Sequence, residues 1–77
     1  MARIALLEKV EALAEALDLP FRVELCDGAG EGCDRVLALC ASRTTAYAVY
    51  YAALREHFGR RVSLRLGEAV LATSQLT

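Results

Sequence analysis

The chain has 77 residues and a mass of 8.4 kDa, which is room for one small domain over residues 1–77. Its net charge of −1 hides an asymmetry, because residues 1–34 carry eight acidic and three basic side chains whereas residues 35–77 carry two acidic and six basic. No uncharged run approaches the roughly 20 apolar residues of a membrane helix, and charged residues interrupt the chain from Arg3 onward. We therefore expect a cytoplasmic protein that does not contact membranes.

Residues 3–18 are predicted to form an amphipathic helix. Their apolar side chains recur at spacings of three and four residues and fall within an arc of about 60° on a helical wheel. Pro20 then prevents the helix from continuing. We expect the apolar arc to face the core; it consists of Leu6, Val10, Leu13 and Leu17.

The other side of this helix carries a row of carboxylates within about 80° of one another. An acidic row of this kind can imitate a phosphate backbone and complement a basic groove on another macromolecule. The ordinary alternative is a helix face that only meets solvent. The residues concerned are Glu8, Glu11, Glu15 and Asp18.

The next segment is predicted to be a β-hairpin. Residues 21–26 alternate apolar and polar side chains, which is typical of a half-buried strand, and residues 34–41 form the return strand. The glycine-rich residues 27–32 between them are interpreted as a plain loop. A phosphate-binding loop would be followed by a helix and would usually contain a lysine, and neither condition is met.

A second helix is predicted to begin at Ser42, Thr44 or Thr45 and to extend to Phe58, because hydroxyl side chains cap helices and Gly59 favours a stop. It carries an apolar stripe at helical spacing, which we expect to face the core. The stripe consists of Tyr47, Tyr51, Leu54 and Phe58.

Residues 61–66 and 69–73 predict a third and a fourth strand, joined by the two-residue turn Gly67–Glu68. The order αββαββ predicts an α+β two-layer sandwich, with two helices on one face of a four-stranded, mostly antiparallel sheet. This is also the element order of a circularly permuted ferredoxin-like fold. Short matches between residues 22–25 and 61–64 make the αββ unit a candidate internal repeat.

Three cysteines, Cys26, Cys33 and Cys40, are each separated by six residues. A zinc site usually needs four ligands with a close cysteine pair, so we expect no metal and no cofactor. In one interpretation Cys26 and Cys33 pair across the hairpin, and in another Cys33 forms a disulfide between two chains. The simplest alternative is that Cys26 and Cys40 are reduced strand residues and that Cys33 is a loop thiol.

No catalytic motif is present in the chain. The single histidine, His57, lies near the end of the second helix, where the helix dipole stabilises a partly charged imidazole. Strand alternation also places Cys26 away from the predicted core-facing side, which argues against a cysteine–histidine pair. We therefore expect the protein not to be an enzyme.

A small, apolar-rich chain often gains stability by pairing with a copy of itself, and we expect a homodimer. Tyr50, Ala53 and His57 lie on a strip of the second helix beside the predicted core stripe. An amphipathic tyrosine next to a small residue favours close packing against another chain. These three residues are the predicted dimer contact.

Taken together, the patterns predict a small non-enzymatic protein-interaction module that inhibits or modulates a larger protein or nucleoprotein assembly. In size and charge the chain resembles inhibitors encoded by phages and mobile elements, anti-CRISPR proteins among them. The partner-binding residues predicted for this role are Glu8, Glu11, Glu15 and Asp18.

The alternative function is nucleic-acid binding. Arg22, Arg61 and Arg65 are predicted to share the outer face of the sheet, and guanidinium groups bind phosphates well. The face lacks aromatic residues for base stacking, and the sequence pI of 5.7 gives no overall attraction to nucleic acid.

Overall fold

The computed structural model describes residues 2–26 and 33–74, with side chains over residues 8–26 and 35–74. It confirms the predicted α+β class, the αββαββ order and a four-stranded antiparallel sheet. The predicted glycine-rich loop at residues 27–32 lies outside this part of the chain. The elements are α1 (Ala2–Leu17), β1 (Phe21–Cys26), β2 (Cys33–Cys40), α2 (Arg43–Glu56), β3 (Arg61–Leu66) and β4 (Ala69–Thr73).

The sheet has the spatial order β2-β1-β3-β4, so β1 is a central strand although it comes first in the chain. It pairs antiparallel with both β2 and β3, which therefore run parallel to each other. In register, Val23 lies between Ala38 of β2 and Leu64 of β3. Phe21, Val23 and Leu25 of β1 lie in the core, as the alternation predicts, but the strand is not half-buried, because Glu24 and Cys26 on its other face are buried as well.

Helix α2 covers this apolar face of the sheet, but it does so with a different side from the one predicted. Ala46, Tyr50 and Ala53 are buried, whereas Tyr51 is more than half exposed and Phe58 is 91% exposed. The predicted inward stripe is therefore wrong for its two most exposed members. Two alanines let the helix axis approach the sheet closely, while a face made of large aromatic rings would hold it further away.

The two ends of α2 are determined by residues close to them in sequence, a capping serine and a glycine. Ser42 is the N-cap, and its hydroxyl oxygen accepts a hydrogen bond from the Thr45 amide at 3.2 Å. The helix ends at Glu56, two residues before the predicted end, and the His57 amide still donates to the Ala53 carbonyl at 2.9 Å. Gly59 has a positive φ of 86°, which an L side chain rarely adopts, and this residue turns the chain into β3.

Helix α1 does not bury the leucines that were predicted to face the core. Leu13 is 49% exposed and Leu17 is 57% exposed, while Val10 is half-buried. The prediction of an inward stripe on α1 is therefore wrong for Leu13 and Leu17, and the side chain of Leu6 lies outside the described residues. The helix displays an apolar face as well as an acidic one.

Strand β4 forms one edge of the sheet, and little of it is covered. It pairs only with β3 among the described strands, and none of its residues is fully buried. The Ser74 hydroxyl accepts a hydrogen bond from the Val62 amide at 2.9 Å, which fixes the end of β4 against β3. Leu71 and Ala72 lie at the border of the core.

Candidate protein-interaction surface

The acidic face of α1 consists of four exposed carboxylates, as the helical spacing predicts. No basic side chain in the described part of the chain forms an ion pair with any of them. Their charges are therefore directed at solvent or at a partner. The acidic face is formed by Glu8, Glu11, Glu15 and Asp18.

Asp18 belongs to the acidic face and also ends the helix. Its φ is +55°, and it is the one residue other than glycine with a positive φ among those described. The Leu19 amide donates to the Ala14 carbonyl at 2.8 Å, and the Asp18 amide donates to the Glu15 carbonyl at 3.2 Å. These two bonds form a Schellman motif with an aspartate where glycine is usual.

A cleft of about 620 Å³ lies between α1 and the adjoining end of the sheet. Three members of the acidic face line its helix side, and Glu68 from the β3–β4 turn adds a fourth carboxylate from the opposite side. Arg22 and Leu39 also line it. Because carboxylates outnumber the one guanidinium group, this cleft favours a positively charged side chain over an anion.

The three arginines predicted for nucleic-acid binding do share the sheet face opposite α2. Arg22 and Arg65 are directly paired in the β1–β3 register, and Arg61 lies opposite Cys26 on the same face. The side chain of Arg22 is only 12% exposed, so most of this residue is not available to a phosphate.

Glu24, which was not predicted as a site residue, lies between two of these arginines. Its carboxylate is 3% exposed; Arg22 Nε is 2.6 Å from Oε2, and Arg65 Nη1 is 3.6 Å from Oε1. One buried carboxylate therefore offsets part of the positive charge of this face. The spacing of Arg22 and Glu24, two residues apart on the same strand face, is the sequence pattern that could have indicated the pair.

The predicted dimer contact lies largely inside the molecule. Tyr50 is 5% exposed and Ala53 is 4% exposed, because this strip of α2 packs against the sheet, while His57 is half-buried. Burial raises the pKa of the Tyr50 phenol, and the neighbouring phenols of Tyr51 and Tyr47 raise it further. Tyr50 and Ala53 therefore have little surface to offer a second chain.

The exposed aromatic surface lies on the adjoining side of α2. The rings of Tyr50 and Tyr51 have centroids 5.4 Å apart, and Tyr47 lies 6.2 Å from Tyr51. Phe58 lies two residues past the end of the helix and is 91% exposed. Of these aromatic residues only Tyr51 and Phe58 are mostly exposed, because Tyr50 is buried and Tyr47 packs against the core.

Two of the cysteines have a clear state. Cys26 is disulfide-bonded, and the residue opposite it in the β1–β2 register is Cys33. This favours the pairing across the hairpin over the interpretation of Cys26 as a reduced strand residue. Cys40 is a free, buried thiol whose pKa is raised by burial.

The described residues contain no group of three or more histidine, cysteine, aspartate or glutamate side chains arranged to hold a metal ion. Within the same residues, neither helix combines the length and the apolar character needed to cross a bilayer. The comparison of the chain with protein-family models, with curated proteins and with solved structures finds no match.

Proposed function

We propose that the chain is a non-enzymatic protein-interaction module. The acidic face of α1 binds a basic surface on a larger protein or nucleoprotein assembly and thereby inhibits or modulates that assembly. The observation that carries the proposal is that four exposed carboxylates lie on one side of one helix without a basic partner in the described residues.

The cleft beside α1 can hold a basic side chain of the partner, so the acidic face offers a fitted contact as well as negative charge. A flat row of carboxylates mainly accelerates encounter with a basic partner, and its effect is screened by salt. A lysine or arginine side chain that enters the cleft also meets Glu68 and the apolar surface of Leu39. We therefore expect binding that weakens with ionic strength but keeps a component that salt does not remove.

The test is a quantitative pull-down from lysate with a tagged full-length chain, with and without nuclease. The variants are Glu8→Lys, Glu11→Lys and Glu15→Lys, singly and together. Each single reversal is expected to lower recovery of a stoichiometric protein partner, and the triple variant to abolish it, because repulsion replaces attraction. Recovery by the unmodified chain should survive nuclease.

Glu56→Lys is the matched control. It makes the same change in net charge on an exposed helix residue, but on α2 and away from the acidic face. Equal losses in Glu56→Lys and Glu15→Lys would contradict a local binding surface. Recovery of nucleic acid alone, lost in Arg61→Ala, would instead favour the arginine face of the sheet.

A further inference from the structure

The corner between α2 and β3, formed by residues 55–61, exposes an aromatic ring among arginines. Phe58 is 91% exposed, which is more than any other large apolar residue in the described part of the chain. Arg55 lies three residues before Phe58 and Arg60 two residues after it, and both are exposed. Residues 55–61 carry three basic side chains and one acidic side chain, Glu56. The α2–β3 corner is therefore both aromatic and positively charged.

The fold explains only part of this arrangement. An arginine in the last turn of a helix interacts favourably with the helix dipole, which accounts for Arg55. Phe58 is neither part of the core cluster nor packed against it. Arg55, Arg60 and Arg61 form no ion pair with the described side chains, which do not include the acidic residues of the segment 27–34. An exposed ring alone would not indicate a ligand, but a ring combined with unpaired guanidinium groups does.

The backbone around the ring leaves room for a ligand. Gly59 turns the chain with a φ of 86°, and a Cβ placed there would meet nothing within 4 Å beyond its two chain neighbours. The Arg60 amide donates to the His57 carbonyl at 2.9 Å, so the turn that carries Phe58 has its own hydrogen bond. Two residues of chain span at most about 7 Å. The ring of Phe58 and the guanidinium group of Arg60 can therefore contact the same nucleotide or adjacent ones.

We propose that the α2–β3 corner binds single-stranded nucleic acid, with the ring of Phe58 stacked on a base and the three arginines on the flanking phosphates. Every base has a face that can stack, and guanidinium groups contact phosphates whatever the base, so binding should depend little on sequence. An acidic protein would pair with the arginines but would give the ring no flat partner. The ring therefore favours a nucleic acid over an acidic protein.

This site differs from the arginine face of the sheet. That face lacks an aromatic residue, and Glu24 pairs with Arg22 and Arg65 there. Arg61, the first residue of β3, belongs to both surfaces. The site does not depend on the proposed function, because the acidic face lies on α1. The triple reversal of that face to lysine should therefore not weaken binding to a nucleic acid.

The first experiment uses tryptophan as a reporter, because the chain contains none. Phe58→Trp keeps an exposed ring at the corner, and its emission should be quenched by an oligothymidine of about 12 nucleotides, a length in the range of known single-strand sites. Val70→Trp is the matched control, because Val70 is 56% exposed and is paired with Arg65 beside the arginine face. Quenching of Val70→Trp alone would place the strand on the sheet and overturn the proposal.

The second experiment measures affinity by fluorescence anisotropy of labelled oligothymidine with the full chain. Phe58→Ala and Phe58→Leu should each weaken binding about fivefold or more, because leucine keeps apolar bulk but cannot stack. Arg60→Ala should weaken binding and lower the slope of log K against log salt concentration by about 0.7. Arg43→Ala removes an exposed arginine from the opposite end of α2 and should change neither quantity. Circular dichroism checks that each variant is folded.

Heparin distinguishes a nucleic acid from polyanions in general. It offers sulfates without bases, so it should compete for the arginines without stacking on the ring of Phe58→Trp. Absence of oligothymidine binding at low salt, equal affinities of Phe58→Leu and the unmodified chain, or equal losses in Arg43→Ala and Arg60→Ala would overturn the proposal. Polyglutamate that binds as tightly as oligothymidine, with no effect of Phe58→Ala on either, would indicate an acidic protein partner instead.

Discussion

Glu24 reduces the positive charge of the sheet face opposite α2 and limits how freely its arginines can bind a phosphate. A buried carboxylate is costly unless it is paired, and here the guanidinium groups of Arg22 and Arg65 supply the pairing. The same contacts hold both arginines near the sheet, so that they act as structural residues rather than as free phosphate ligands. Only Arg61 of this group has no ion pair among the described residues.

Glu24→Ala is expected to lower the free energy of unfolding by about 3 kcal/mol, because it leaves two partly buried guanidinium groups next to each other without a counter-charge. Urea unfolding measures the change. Arg61→Ala on the same face is the control and should change stability by less than about 0.5 kcal/mol. A small effect of Glu24→Ala would mean that water already reaches this carboxylate.

At the scale of the element, the residue that ends α1, Asp18, is unfavourable for the stability of the helix. A left-handed residue is easiest for glycine, and a carboxylate near the C-terminal end of a helix is repelled by the helix dipole. Asp18 has both disadvantages, yet it completes the acidic face. Asp18 therefore lowers the stability of the helix end and adds one negative charge to the acidic face.

Asp18→Gly is expected to raise the free energy of unfolding by about 0.5–1 kcal/mol and to weaken partner binding. Asp18→Ala removes the same charge but lacks the backbone freedom of glycine, so it should be less stable than Asp18→Gly. Thermal unfolding of both variants measures the difference. Equal stability of the two would show that the left-handed conformation at this position has no cost.

The element order and the strands could be predicted from the sequence, because alternation, capping residues and glycines act locally. The packing face of α2 could not be predicted by hydrophobicity alone. Tyr51 and Phe58 have larger apolar surfaces than Ala46 and Ala53, but the alanines fit the narrow space over the sheet and are the residues that are buried. Their spacing with Tyr50, at four and three residues, was the available indication.

The exposure of the α1 leucines and the burial of Glu24 could not be predicted for a different reason. Leu13 and Leu17 have the helical spacing of a core stripe, but spacing alone cannot tell whether another part of the chain packs over them. The burial of Glu24 depends on Arg65, which is distant in sequence and becomes a neighbour only through the β1–β3 register. Its role therefore appears only in the folded chain.

At the scale of the whole molecule, part of the negative charge of the first half is concentrated on α1, where all four carboxylates lie on the side opposite the exposed Leu13 and Leu17. A second copy that covered the exposed leucines of α1 would not meet these carboxylates. Pairing through this helix would therefore depend on apolar contact and not on the charge asymmetry of the chain.

If pairing contributes to stability, the thermal midpoint of the full chain should rise with protein concentration, because only the folded form dimerises. Differential scanning calorimetry over a wide concentration range measures this. Leu17→Arg places a charge on an exposed apolar residue of α1, so if α1 takes part in the pairing its midpoint should be lower and nearly independent of concentration. A midpoint of the unmodified chain that does not move would argue that the folded monomer is stable by itself.

The central position of β1 has a consequence for the order in which the chain folds. The β1–β2 and β3–β4 hairpins join neighbouring strands, whereas the β1–β3 pairing joins strands separated by β2 and α2. Closing the longer loop costs more chain entropy, so we expect each hairpin to form early and the β1–β3 seam to form last. That seam also brings Arg65 to Glu24, so the buried ion pairs are completed only at the end of folding.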